Sequence, residues 1–122
     1  MSSLVSHTWL KGMDVRTTID KLTGQWLFLA KDFAAPLGIK QIHDKVQRLE
    51  DEFKVSAKIV TLGGKQKATF LTEAGVYDLF LSCPKARGKK NKGTVPYKFR
   101  IWVLTKLIPS AMAKLREQLS GA

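Results

Sequence analysis

The sequence predicts an α+β domain: two β-hairpins, two short helices between them, and two C-terminal helices, the last kinked at Pro109. Three observations lead there. Apolar or alternating runs of strand length stand at residues 15–19, 26–30, 55–62 and 67–71, in two pairs separated by Gly-containing turns. Apolar residues at helical spacing mark 41–50, 73–81 and 97–119. The 122 residues are 44% apolar and 25% charged, which fits one domain with a real core.

The elements follow in order. Residues 1–12 have no clear period and are expected to be a flexible tail, with Trp9 and Leu10 available to dock; the domain then spans 13–120. Residues 15–19, the turn Leu22-Thr23-Gly24-Gln25 and the apolar run 26–30 form the first hairpin. Asp32 is placed to N-cap a short helix through Phe33, Ala34, Ala35 and Leu37, which Gly38 ends in the left-handed conformation. A second helix over 41–50 carries Ile42, Val46 and Leu49 on one stripe. The second hairpin runs through 55–62 and 67–71 about Gly63-Gly64. Thr72 caps a helix over 73–81, and Pro84 closes off helical space behind it. Residues 84–96 read as an exposed basic loop punctuated by Gly and Pro. The last helix, from about Tyr97, keeps Ile101, Leu104, Ile108, Met112, Leu115 and Leu119 at helical spacing, and Pro109 removes an N–H and kinks it.

Charge is distributed unevenly. Residues 79–116 hold ten Lys/Arg and no acid, whereas residues 1–78 hold eleven Lys/Arg and nine Asp/Glu. A local field of one sign calls for a polyanion or an acidic surface. The lone Cys83 has no internal disulfide partner, no signal-peptide pattern opens the chain, and no run reaches the ~18 apolar residues of a membrane span. An intracellular protein without membrane contact is the expectation. Catalysis and cofactors are not expected. His7 and His43 lack further ligands at metal-like spacing, Cys83 has no evident base, and around Gly63-Gly64-Lys65 a phosphate-loop pattern fails at Ile59 and Gln66.

Three stretches carry a resemblance: Trp26-Leu27-Phe28-Leu29-Ala30-Lys31-Asp32-Phe33-Ala34 with Leu37-Gly38, then Phe70-Leu71-Thr72-Glu73-Ala74-Gly75-Val76-Tyr77-Asp78-Leu79, then Phe99-Arg100-Ile101-Trp102-Val103 with Leu107-Ile108-Pro109-Ser110. In this order the chain resembles the Bro-N family, the N-terminal domain of viral Bro proteins and many phage antirepressors. The resemblance implies a compact α+β DNA-binding domain, a viral or phage source, and a role in regulating transcription or replication. It also implies a host-cell location: nucleus or cytoplasm for a eukaryotic virus, cytoplasm for a phage. Family members usually carry a variable C-terminal domain, so a short member or a fragment is expected. The chain departs from the pattern at Pro36, where a helix former is usual, and at residues 85–96, where a short linker is usual.

The candidate nucleic-acid contacts are Lys85, Arg87, Lys89, Lys90 and Lys92 in the basic loop, followed by Lys98 and Arg100 on the last helix. Cations at nearly every second position of a flexible loop with no packing role can follow successive phosphates. Arg100 has two readings: a bidentate contact to phosphate or guanine, or an ion pair with Asp78 or Glu73. A secondary set comprises Gln41, His43, Lys45 and Arg48 on the second short helix, Lys65 and Lys67 at the hairpin tip, and Lys106. The lysines at the tip either reach DNA or simply block sheet aggregation. Ala34 and Gly38 have helix-turn-helix spacing, but Asp44 stands where that motif needs an aliphatic residue. Trp26, Tyr97, Phe99 and Trp102 read as core rather than as a stacking platform, with Trp102 expected against the 76–80 helix face. Double-stranded DNA is the expected partner. RNA or single strands, an acidic protein, and homodimerisation on a palindromic site are the alternatives.

Overall fold

A computed structural model of the chain describes residues 4–10, 12–20 and 22–120. Its first element corrects the expected tail. Val5, His7 and Trp9 alternate with Ser6 and Thr8, and this period of two makes Val5–Leu10 a strand, β1, paired antiparallel with β2 (Met13–Ile19). Trp9 is what holds it, edge-on to Phe99 at 5.2 Å and 6.3 Å from Trp102 between ring centroids. Residues 1–3 and 11 of the expected tail lie outside the described residues.

β2 turns through Gly24, at φ +75°, into β3 (Trp26–Leu29), whose four residues are all buried. The run is continuously apolar because both faces are covered. Trp26 and Phe28 join the main core, while Leu27 and Leu29 join a smaller cluster with Ile59 and Phe70. β4 (Lys54–Thr61) and β5 (Gly64–Leu71) form the second hairpin, with the left-handed turn position at Gly64 (φ +98°). The two hairpins are one sheet. Phe28 pairs with Leu71 and Leu29 with Phe70, giving the antiparallel order β1-β2-β3-β5-β4. That junction covers only the base of the second hairpin. From Ser56↔Thr69 to Thr61↔Gly64, six rungs run on with no third strand beside β5.

After β3 the chain makes a 3-10 turn (Ala30–Phe33) and one α-helical turn, α1 (Ala34–Leu37), ended by Gly38 at φ +67° as expected. Asp32 does not cap it. Its carboxylate is taken by Arg16 on β2: the guanidinium donates at 2.9 and 2.8 Å and the Arg16 backbone N–H at 2.9 Å. A bidentate pair with an added backbone bond outcompetes a lone cap. It also raises the Arg16 pKa, against the opposing effect of burial.

The second short helix, α2, covers Ile42–Gln47, shorter than the expected 41–50. Lys54 stops it by donating from Nζ to the carbonyls of Gln47 (3.0 Å) and Val46 (3.4 Å). Neither α1, with four residues, nor α2, with six, is long enough for the helix-turn-helix reading, and Asp44 is exposed. A 3-10 turn (Asp51–Phe53) then leads into β4.

α3 (Glu73–Leu81) begins where expected: Thr72 Oγ1 accepts the Gly75 N–H at 3.1 Å. Its first turn presses on the 3-10 turn before β4, with the Thr72 N–H donating to the Phe53 carbonyl at 3.1 Å. Gly75 lies over that carbonyl so closely that a Cβ there would overlap the oxygen.

α4 (Val95–Trp102) starts two residues earlier than expected, capped by Thr94 and with Pro96 in its first turn, where a missing N–H costs nothing. The chain continues as a π-helical segment (Val103–Leu107) into α5 (Ile108–Ser120). The Pro109 effect therefore appears one turn upstream as a widened helix. Pro109 offers no N–H to the Thr105 carbonyl, Ile108 N–H bonds instead to Val103, and the Thr105 hydroxyl donates back to Ile101 at 2.6 Å. Widening shifts the buried face. Phe99, Val103, Leu107 and Ala111 recur every fourth residue and are fully buried, while Ile101 of the expected stripe is exposed. The side chains of Leu115 and Leu119 lie outside the described residues. The core between sheet and helices centres on Phe33, Phe80 and Phe99, whose rings lie 5.5–6.2 Å apart.

Candidate nucleic-acid interface

Residues 84–94 are not the open loop that their Gly, Pro and Lys content predicts. They fold into two 3-10 turns, Pro84–Ala86 and Lys89–Asn91, joined through Gly88 at φ +89°. Two side chains tie the segment shut. Asn91 Nδ2 donates to the carbonyls of Arg87 (2.7 Å) and Pro84 (3.1 Å). Thr94 Oγ1 donates its one proton to the Asn91 carbonyl (2.7 Å), with the Lys85 carbonyl at 3.3 Å as the longer alternative, while accepting from the Tyr97 N–H that opens α4. The segment also has a packing role: Ala86 is fully buried in the main core, and α4 rests against the first turn.

This clasp projects the cations outward. Lys85, Lys89, Lys90 and Lys92 are exposed, while Arg87 is half-buried with an Nε that has no hydrogen-bond partner among the described residues. Burial pushes the Cys83 thiol pKa up, an effect partly offset by the positive charges of Lys45 on α2 and Arg87. Lys45 itself is half-buried on α2.

Lys98 and Arg100 do not share a helix face. Two residues apart on a helix, they are separated by about 200°, with Phe99 buried between them. Lys98 is exposed, and Arg100 sits half-buried on the flank of Tyr97 and Leu104. Arg100 pairs with neither Asp78 nor Glu73 among the described residues; Glu73 accepts instead from the Tyr77 hydroxyl at 2.8 Å. Lys106 is exposed on the π segment. Lys114 and Arg116, which close the basic third, have side chains outside the described residues.

The described residues contain two ion pairs, Arg16–Asp32 and Lys54–Asp51, and neither uses a candidate contact. Among the described residues, no ion pair engages Lys85, Arg87, Lys89, Lys90, Lys92, Lys98, Arg100 or Lys106. Gln41 and His43 are exposed at the start of α2, as is Arg48 just past its end. A groove of about 670 Å³ separates α2 from the second hairpin, with His43 and Gln47 on one wall and Lys67 and Thr69 on the other. Lys65 and Lys67 are exposed on β5, joined by Lys58, which the sequence candidates omit. Lys58 stands directly opposite Lys67, and only strand register could have revealed that.

The aromatic residues read as core are packed, whereas Tyr77 on α3 is exposed. Trp26 and Phe99 are buried; Tyr97 and Trp102 are half-buried, and Trp102 stacks on Phe99 at 6.0 Å beside Trp9, against the core cluster that includes Val76, Leu79 and Phe80.

Fold and surface together define an α+β domain with helices on an antiparallel sheet and a surface of exposed cations. A model of the BRO family, N-terminal domain, matches residues 14–109, and the chain belongs to that family. No curated protein and no solved structure matches it.

Proposed function

We propose that this domain binds double-stranded DNA, chiefly through its phosphates, and serves a viral or phage protein that regulates transcription or replication inside a host cell. The observation carrying this reading is the clasped segment 84–94, which holds four exposed lysines outward with no acid between residues 79 and 116. Lys85, Lys89, Lys90 and Lys92 are the principal phosphate contacts. Arg87 lies in the same segment, Lys98 follows one turn into α4, Arg100 and Lys106 lie on other flanks of the last helix, and Lys45 on α2 is a secondary contact. The fixed turns favour a regular duplex backbone over an irregular strand, because the spacing of the cations is set before contact. The packed aromatic rings leave little for single-stranded bases to stack on. Binding rather than catalysis is the activity, with no cofactor.

A duplex titration across salt concentrations tests this, comparing wild type with a variant carrying Lys85, Arg87, Lys89, Lys90 and Lys92 all changed to Ala. Each phosphate neutralised steepens the dependence of log K on log salt by about 0.9, so losing five contacts should flatten the slope by about 4 to 5. Equal affinity of the two proteins would overturn the site. A wild-type affinity that ignores salt would overturn the phosphate reading and point to an acidic protein partner.

A further inference from the structure

The second hairpin has the properties of a base-reading ribbon, which phosphate binding by the 84–94 segment does not require. Along β4 and β5, alternate residues face opposite ways. One face carries Val55, Ala57, Ile59, Ala68 and Phe70, packed with Leu27 and Leu29. The other carries Ser56, Lys58 and Val60 across from Thr69, Lys67 and Lys65. All six are exposed except Thr69, which is half-buried. Residues 54–71 contain no acid.

Two details separate this face from an ordinary solvated one. Lys58 and Lys67 are direct cross-strand partners, an arrangement that costs stability unless an anion lies over it. Val60, 77% exposed on the same face beside Lys58 and opposite Lys65, adds an apolar side chain to the cationic ones. The six-rung extension past β3 leaves a two-stranded ribbon about 20 Å long, and the major groove of B-DNA admits a ribbon of that kind. Lysine donates to guanine O6 and N7, hydroxyls bond to any base edge, and an apolar side chain packs on the thymine methyl.

We propose that the β4–β5 ribbon lies in the major groove and reads base edges through Lys58, Val60, Lys65 and Lys67, with Ser56 and Thr69 at its base. It supplies the sequence preference of a domain whose grip comes from residues 84–94. The inference rests on the duplex-binding reading, and the experiment separates the two.

A random duplex library is selected in parallel with wild type, with Lys58→Ala/Lys67→Ala, with Val60→Ser, and with the five-residue variant of the basic segment. Thermal melting verifies that each is folded. Guanine N7 methylation protection is then measured on the enriched duplex. Wild type is expected to enrich a motif and protect guanine N7. The lysine variant should lose that protection and prefer the motif over scrambled duplex about 10-fold less. Val60→Ser should lose discrimination of thymine at one position. The basic-segment variant should bind every duplex more weakly yet keep the same motif. If the ribbon variants enrich the wild-type motif, or wild type binds duplex without enriching any motif, the ribbon reading is overturned while phosphate binding stands. If wild type binds no duplex, both fall.

Discussion

Replacing Gly75 with Ala should destabilise the protein, against the usual gain from Gly to Ala in a helix. At an open helical site the substitution is worth about 1 kcal/mol of added stability. Here the new methyl would overlap the Phe53 carbonyl oxygen. That oxygen is held by the Thr72 N–H at 3.1 Å and approached by Thr72 Oγ1 at 3.4 Å, so moving it strains the bonds that start α3. Overpacking of this kind costs about 1–3 kcal/mol, and a weakened hydrogen bond adds about 1 kcal/mol. The net loss is about 2 kcal/mol, which for a chain of this length lowers the melting temperature by about 8 °C. Thermal unfolding followed by circular dichroism measures it. Gly93→Ala is the control, since a Cβ there meets nothing and the backbone is not left-handed; it should stay within about 0.5 kcal/mol of wild type. A Gly75→Ala protein that melts at or above the wild-type temperature would refute the close-approach argument.

Two further outcomes follow from side-chain geometry. Asn91→Ala removes the two Asn91 bonds that help close the basic segment, costs about 1–2 kcal/mol, and should speed trypsin cleavage at Lys89, Lys90 and Lys92; cleavage there at the wild-type rate would show that Asn91 does not hold the segment shut. Burial raises the Cys83 pKa, so the folded state favours the protonated thiol. Stability should therefore hold below the ordinary thiol pKa of about 8.5 and decline above it, and iodoacetamide at pH 8 should modify the native thiol about 10-fold or more slowly than the urea-unfolded one. Equal rates would contradict the burial.

Local chemistry made much of this fold legible. Gly38, Thr72 and the turn after Thr61 each announce an element boundary through one backbone or capping requirement, and the structure meets all three. Non-local competition is what stayed hidden. Asp32 looks like a cap until Arg16, sixteen residues earlier, reaches it. Val5 to Leu10 looks patternless until Trp9 finds Phe99. The stripe drawn through Ile101 assumes a period of 3.6, which Pro109 breaks one turn before it occurs. At the candidate interface, residue type identified the cations but not their partners. Nothing in Asn91 or Thr94 alone says that they lock a segment, and nothing in the spacing of Lys58 and Lys67 says that they face each other.

The Asn91–Thr94 closure makes the basic segment largely self-contained. Its side-chain bonds begin and end between residues 84 and 97, and Ala86 is its one fully buried side chain. Such a segment can be exchanged for one of another length or charge with the helices on either side left in place. The binding strength of the domain can then change by replacement of one cassette, provided that the Ala86 core contact and the Thr94 cap on α4 are kept.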